Sequence, residues 1–97
     1  MIHKGDLILK KDTTFEEDLV VEGDIKGYYN LRVQGNLNCM NLNCMDLDCR
    51  NLDCMNLNFY AVAIAYNSLK CRSWEARRDN HIIKCLDGEI EVTGEGK

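Results

Sequence analysis

The sequence predicts an all-β fold, a small β-helix or solenoid wound from short strands and closed by a C-terminal cap. Three observations predict it: a five-residue rhythm across residues 36–75, a related pattern at a spacing of twelve on its N-terminal side, and the absence of proline throughout. Fixed-period self-similarity marks architectures in which each unit buries its apolar side only by stacking on its neighbours. A chain of 97 residues suits one domain with a modest core. The expected organisation is a single solenoid domain over 1–97, with N-terminal coils in 1–35, five-residue repeats in 36–75 and the cap in 76–97.

In the N-terminal part, "LVVEGDI" (19–25) and "LRVQGNL" (31–37) align residue for residue, and "IEVTGE" (90–95) echoes them. Alternating apolar residues followed by glycine describe a strand that ends in a tight turn. In the repeats, Leu37, Leu42, Leu47, Leu52, Leu57 and Val62 form one column, and Cys39, Cys44, Cys49, Cys54, Phe59, Ile64, Leu69 and Trp74 form a second. One Asn or Asp separates each apolar pair, so an extended backbone sends both apolar groups to one side. Asn and Asp recur where the chain turns, and they tolerate tight conformations. A helix fits badly, because a period of five rotates the apolar stripe by about 140° per unit. With no proline, no backbone donor is missing from the ladders between coils. Residues 60–78 permit an amphipathic helix through Val62, Ala65, Tyr66 and Leu69, but the second column runs on through them, and the solenoid is expected to continue.

The Asn-Leu or Asp-Leu step at 36–37, 41–42, 46–47, 51–52 and 56–57 resembles pentapeptide-repeat proteins. The resemblance covers roughly residues 36–75 and implies a right-handed quadrilateral β-helix with one five-residue unit per face. On that geometry Cys39, Cys44, Cys49 and Cys54 occupy four successive faces of one coil. The family's small inward residue stands two positions before the central Leu; here Met40, Met45, Arg50 and Met55 hold those places and the small residue follows Leu instead. The tail, 60–92, resembles the ending of short uncharacterised repeat proteins of Firmicute bacteria and their phages. The "LVVEGDI" and "LRVQGNL" pattern is similar to that of bacterial β-helical cytoskeletal proteins.

Six cysteines in a short chain suggest a disulfide framework only alongside an export signal. The apolar run near the N-terminus, Leu7 to Leu9, has three residues where a secretory signal needs roughly seven to fifteen, and nothing approaches the roughly 18 of a membrane span. A cytoplasmic location with reduced thiols is therefore expected. Four thiolates could converge on zinc at about 2.3 Å, but zinc sites favour closer cysteine spacings and a tetrahedral rather than square arrangement. Cysteine as a small buried hydrophobe is the expectation, with no metal and no cofactor. Disulfides between cysteines five residues apart around a corner miss the required Cα separation of about 4.4 to 6.8 Å.

The net charge is −4 and uneven: residues 70–84 carry five basic and two acidic side chains, against six and ten in 1–69. Lys70, Arg72, Arg77, Arg78 and His81 are the candidate partner-binding residues, with Lys84, Trp74, Tyr60 and Tyr66 close in sequence. Arginine and tryptophan anchor interfaces, and basic groups beside aromatics also suit nucleic acid. The alternatives are that Trp74 closes the end of the core and that the arginines are solvated or pair with the acidic body. The Asn and Asp columns read as corner chemistry, their few charges being far from a phosphate-like track. An enzyme is not expected, since His81 with Cys85 or Cys71 is the only nucleophile and base pairing on offer. The expected function is a non-catalytic protein-binding module. The phage resemblance implies an inhibitor of a host nucleic-acid enzyme or defence system, in the manner of an anti-CRISPR. The alternatives are a self-assembling β-helical structural protein and, third, a nucleic-acid binder with steep salt dependence. Exposed strand edges at the coil ends point to a homodimer.

Overall fold

Three parallel β-faces, here A, B and C, wind around one apolar axis in the computed structural model, which describes residues 1–94; residues 95–97 of the expected cap lie outside the described residues. Face A stacks β1 (Ile2–His3), β4 (Leu19–Val21), β7 (Asn36–Asn38), the second half of β9 (Leu47–Asp53), the second half of β11 (Val62–Cys71) and β14 (Ile90–Val92). Face B stacks β2 (Leu7–Ile8), β5 (Ile25–Lys26), β8 (Leu42–Asn43), β10 (Asn56–Phe59) and β12 (Ser73–Ala76). Face C stacks β3 (Thr13–Phe15), β6 (Leu31–Val33), the first halves of β9 and β11, and β13 (Ile82–Cys85). Strands β9 and β11 turn the corner from C to A unbroken, which joins those faces into one nine-stranded sheet beside the five-stranded face B.

The result is an all-β solenoid of about five turns, as expected, and residues 60–78 are strand rather than helix. Its cross-section, however, is three-sided, where the resemblance to pentapeptide repeats implied four. Leu19 stacks against Leu37, 18 residues on, and Leu37 against Leu52, 15 residues on; a four-sided coil would need 20. Three five-residue units therefore close a coil. The physical reason lies in stacking: a parallel ladder forces each coil to keep the number of sides of its neighbour, and the N-terminal coils, at six residues per side, set that number at three. The spacing of twelve between "LVVEGDI" and "LRVQGNL" is thus two sides of one coil, running from face A to face C.

The interior is filled by leucines and thiols in register. Leu19, Leu37, Leu52 and Leu69 stack on face A, Ile25, Leu42, Leu57 and Trp74 on face B, and Leu31, Leu47, Ala63 and Ile83 on face C. Among the described residues no polar or charged residue is buried. The second apolar column of the repeats does not run straight through. Ala63 and Ala65 occupy the interior and Ile64 sits between them facing outward, because the corner after Phe59 is one residue longer and the register slips again between Ala65 and Ser68. Leu69 consequently pairs with Leu52 and Trp74 with Leu57, which places both in the leucine columns.

Each corner is held by its own ladder of short polar side chains. At the A/B corner the Asp6 carboxylate accepts the Asp24 N–H at 2.8 Å and Asp24 accepts that of Asn41 at 3.0 Å; Asn56 donates to Asn41 at 2.9 Å and Ser73 to Asn56 at 2.7 Å. At the C/A corner the series is Asp18, Asn36, Asn51 and Ser68, and at the B/C corner Asp12, Asn30 and Asp46, ending on the Val62 N–H. The rungs nearer the N-terminus satisfy backbone donors that the turn takes out of the sheets, the later Asn and Ser rungs join side chain to side chain, and each is worth about 1 kcal/mol. Glycine has a specific use here: a Cβ at Gly23 or Gly35 would collide with the carboxylate of Asp6 or Asp18. At the C-terminal end Trp74 lies over buried Phe59 with ring centroids 6.0 Å apart, and His81 stacks edge-on against Trp74 at 5.7 Å.

Candidate interaction edge

The five candidate partner-binding residues separate into two groups on either side of β12. Lys70 points outward on face A, in register with Asp53 and Glu91, and Arg72 follows at the A/B corner. Arg77, Arg78 and His81 lie past β12 around the B/C corner, where Arg78 and His81 line a shallow depression with Ala61, Val62, Asn80 and Ile82. The Nδ1–H of His81 donates to the carbonyls of Arg78 and Asp79 at 3.0 and 2.9 Å, which fixes the ring against Trp74.

Arg77 is turned back along the solenoid. Its Nη1 donates to the side-chain oxygens of Asn43 at 2.8 Å and Asn58 at 2.5 Å, its Nη2 to the Cys44 carbonyl at 2.6 Å, and the guanidinium lies 5.4 Å from the Tyr28 ring centroid. One side chain thereby ties three coils together. Arg78 makes no such contact through its guanidinium among the described residues, although its backbone N–H donates to the Tyr60 carbonyl at 3.0 Å.

Beside Arg78 the structure assembles residues that the sequence did not single out as a group. The fifth position of each unit, Met40, Met45, Arg50, Met55 and Tyr60, follows the inward cysteine or Phe59 and falls on a corner. Three sides per coil distribute this position over three edges. Met40, Met55 and Arg72 share the A/B edge, Gly35 and Arg50 the C/A edge, and Tyr29, Met45, Tyr60 and Arg78 the B/C edge, each linked to the next by a backbone hydrogen bond of 2.6 to 3.0 Å. Tyr28, 70% exposed, stands next to the B/C series. A period of five with three sides was the signal that could have found this edge.

The carboxylates of the repeats are spent locally: Asp46 accepts the Val62 N–H, Asp48 lies 4.0 Å from Arg32, and Asp53 is in register with Lys70. Asp6 sits below the usual carboxylate range, first because the Asp24 N–H donates to it and then because Lys26 lies 3.3 Å away.

The cysteines do not ring a single coil. Cys39 and Cys54 belong to face A, one coil apart, while Cys44 lies behind the end of β8 on face B and Cys49 on face C. Burial pushes the Cys44 and Cys49 thiols up to about 12 and that of Cys71 to about 11. They are neutral at any ordinary pH. Among the described residues no group of three or more His, Cys, Asp and Glu side chains is placed to hold a metal ion.

What the fold and this edge define is a three-sided β-solenoid with an apolar interior and patterned corners. No protein-family model, no curated protein and no solved structure matches the chain. Among the described residues no helix is long and apolar enough to cross a membrane.

Proposed function

We propose that this chain is a non-catalytic protein-binding module that presents its B/C edge to a protein partner. The observation that carries the reading is the column Tyr29, Met45, Tyr60 and Arg78, extended sideways by Tyr28. Tyrosine, methionine and arginine are the residue types enriched in the centre of protein interfaces. A backbone held by sheet ladders and corner ladders presents them with little ordering cost on binding. The narrower role of an inhibitor of a host nucleic-acid enzyme or defence system rests on the resemblance of the tail to phage-borne proteins, and the identity of the partner decides it.

The test is affinity capture from a host lysate with the wild-type chain, Y60A, R78A and a face A control, N38A, after circular dichroism has shown that all four fold alike. A protein retained by wild type and N38A but lost with Y60A and R78A is the expected result. Retention indifferent to Tyr60 and Arg78 overturns the reading.

A second reading, assembly through the coil ends, is favoured by one observation: β1, β2 and β3 each pair on one side only. Unpaired strand edges are templates for another chain. Light scattering against concentration separates the two, an open-ended size distribution indicating assembly and a closed species the binder.

A further inference from the structure

Register places three thiols in one file inside face A. Asn38 pairs with Asp53 and Asp53 with Lys70, so Cys39, Cys54 and Cys71 follow directly above one another on successive coils. The backbone confirms the stacking, with the Cys39 N–H donating to Asp53 and the Cys54 N–H to Lys70, both at 3.1 Å. The Cys39 thiol is hydrogen-bonded with that of Cys54, and this contact, followed by burial, pushes the Cys54 thiol up. All three are free. We infer that this file is a modification site, at which a small disulfide-forming oxidant joins adjacent coils through Cys54, to Cys39 or to Cys71 but never to both.

Geometry and access support the assignment. Neighbouring strands are about 4.8 Å apart, inside the Cα window of about 4.4 to 6.8 Å for a disulfide. Cys54, the shared member of both pairs, is buried at the floor of a surface depression lined by Asp53, Met55, Lys70, Arg72, Thr93 and Gly94. The other interior thiols have no such neighbour: Cys49 stacks against Ala65, and Cys85 is one coil further on. The product also matches its surroundings, since a disulfide is neutral and no polar or charged residue is buried among the described residues. The reaction balances with an azodicarboxamide oxidant. Two S–H bonds break, one S–S bond forms, and the two hydrogens and two electrons reduce N=N to HN–NH. This inference is independent of the protein-binding reading.

The experiment treats the folded full-length chain with diamide, an azodicarboxamide, under native conditions, and maps the linkages by proteolysis and mass spectrometry without reduction. The expected product has lost two hydrogens, contains Cys54 linked to Cys39 or Cys71, and melts about 10 °C or more higher than the reduced chain, given the loop of 15 or 17 residues that is closed. Dithiothreitol reverses the change. C39A retains the Cys54–Cys71 link, C71A retains the Cys39–Cys54 link, and C54A retains neither. A linkage that omits Cys54, or a folded wild-type chain that gains no intramolecular linkage, overturns the inference, and the wild-type map decides even where a variant fails to fold.

Discussion

Replacing Arg77 with alanine tests whether the last coils are tied to the earlier ones by this one guanidinium. The side chain donates to Asn43, Asn58 and the Cys44 carbonyl and lies over Tyr28. The two bonds to asparagine are exposed and are discounted to about 0.5 kcal/mol each, while the part-buried carbonyl, left without its charged donor, costs about 1 to 1.5 kcal/mol. An exposed cation–π contact adds about 0.5 kcal/mol. Together these make a loss of about 2.5 to 3 kcal/mol, a large share of the stability of a small domain. Urea unfolding followed by Trp74 fluorescence measures it: with a slope of about 1 kcal/mol per molar for a chain this small, the midpoint falls by about 2.5 to 3 M at unchanged slope. R77K keeps the charge but not the fork geometry, and recovers half of the loss at most. A midpoint shift below about 0.5 M for R77A would refute the staple, because no rearrangement of exposed asparagines replaces three donors at once.

Gly35→Ala drives a Cβ into the Asp18 carboxylate and lifts it from the Asn36 N–H; an equilibrium unfolding curve shifted by about 1 to 2 kcal/mol is expected, and a neutral result would show that the corner ladder adds nothing. The alkaline limb of the stability curve follows from the buried thiols. Cys44 and Cys49 titrate near 12 in the folded chain, so above about pH 9 the unfolded state loses protons that the native state keeps. The stabilisation is fully present below the unfolded value and is lost as pH rises toward 12, at about 1.4 kcal/mol per pH unit for each thiol. Far-UV circular dichroism across pH 8 to 11 in urea is expected to show this fall, flattened in the C44A/C49A variant; a wild-type midpoint that stays constant contradicts the assignment.

The all-β fold and the Asn and Asp corners were legible because each rests on a local rule. Alternation fixes which side of a strand is apolar, and Asx side chains fix where it turns. The number of sides was not legible, since a period of five defines a side and not a coil; that number is imposed by stacking on the 18-residue turns that begin with Leu7 and Leu19. The slip after Phe59 was hidden for a different reason. Val62 and Ile64 are more apolar than Ala63 and Ala65, so hydrophobicity alone prefers the wrong pair, and only the lengthened corner sends the alanines inward. Arg77 was visible as a basic residue, but its partners are 19 and 34 residues away and meet it only once the coils are in register.

The same bookkeeping of positions explains why recognition belongs on the corners. In each five-residue unit the Leu and Cys positions are committed to the interior and the first Asn or Asp to a ladder, as Leu42, Cys44 and Asn41 are. A change there costs a cavity, an unsatisfied donor or the turn itself. The outward middle position and the fifth position belong to neither the interior nor a corner ladder, although at Asn43 and Asn58 the middle one receives Arg77. The middle one lies flat on a face between flanking strands, as Asn43 does between Ile25-side and Leu57-side neighbours, whereas the fifth projects from an edge. Large side chains at the fifth position therefore reach furthest from the core without disturbing it. With three sides per coil, every third unit repeats on the same edge, so Tyr60 extends what Met45 begins, and a partner meets a continuous strip although no two of its residues are neighbours in sequence except Tyr28 and Tyr29.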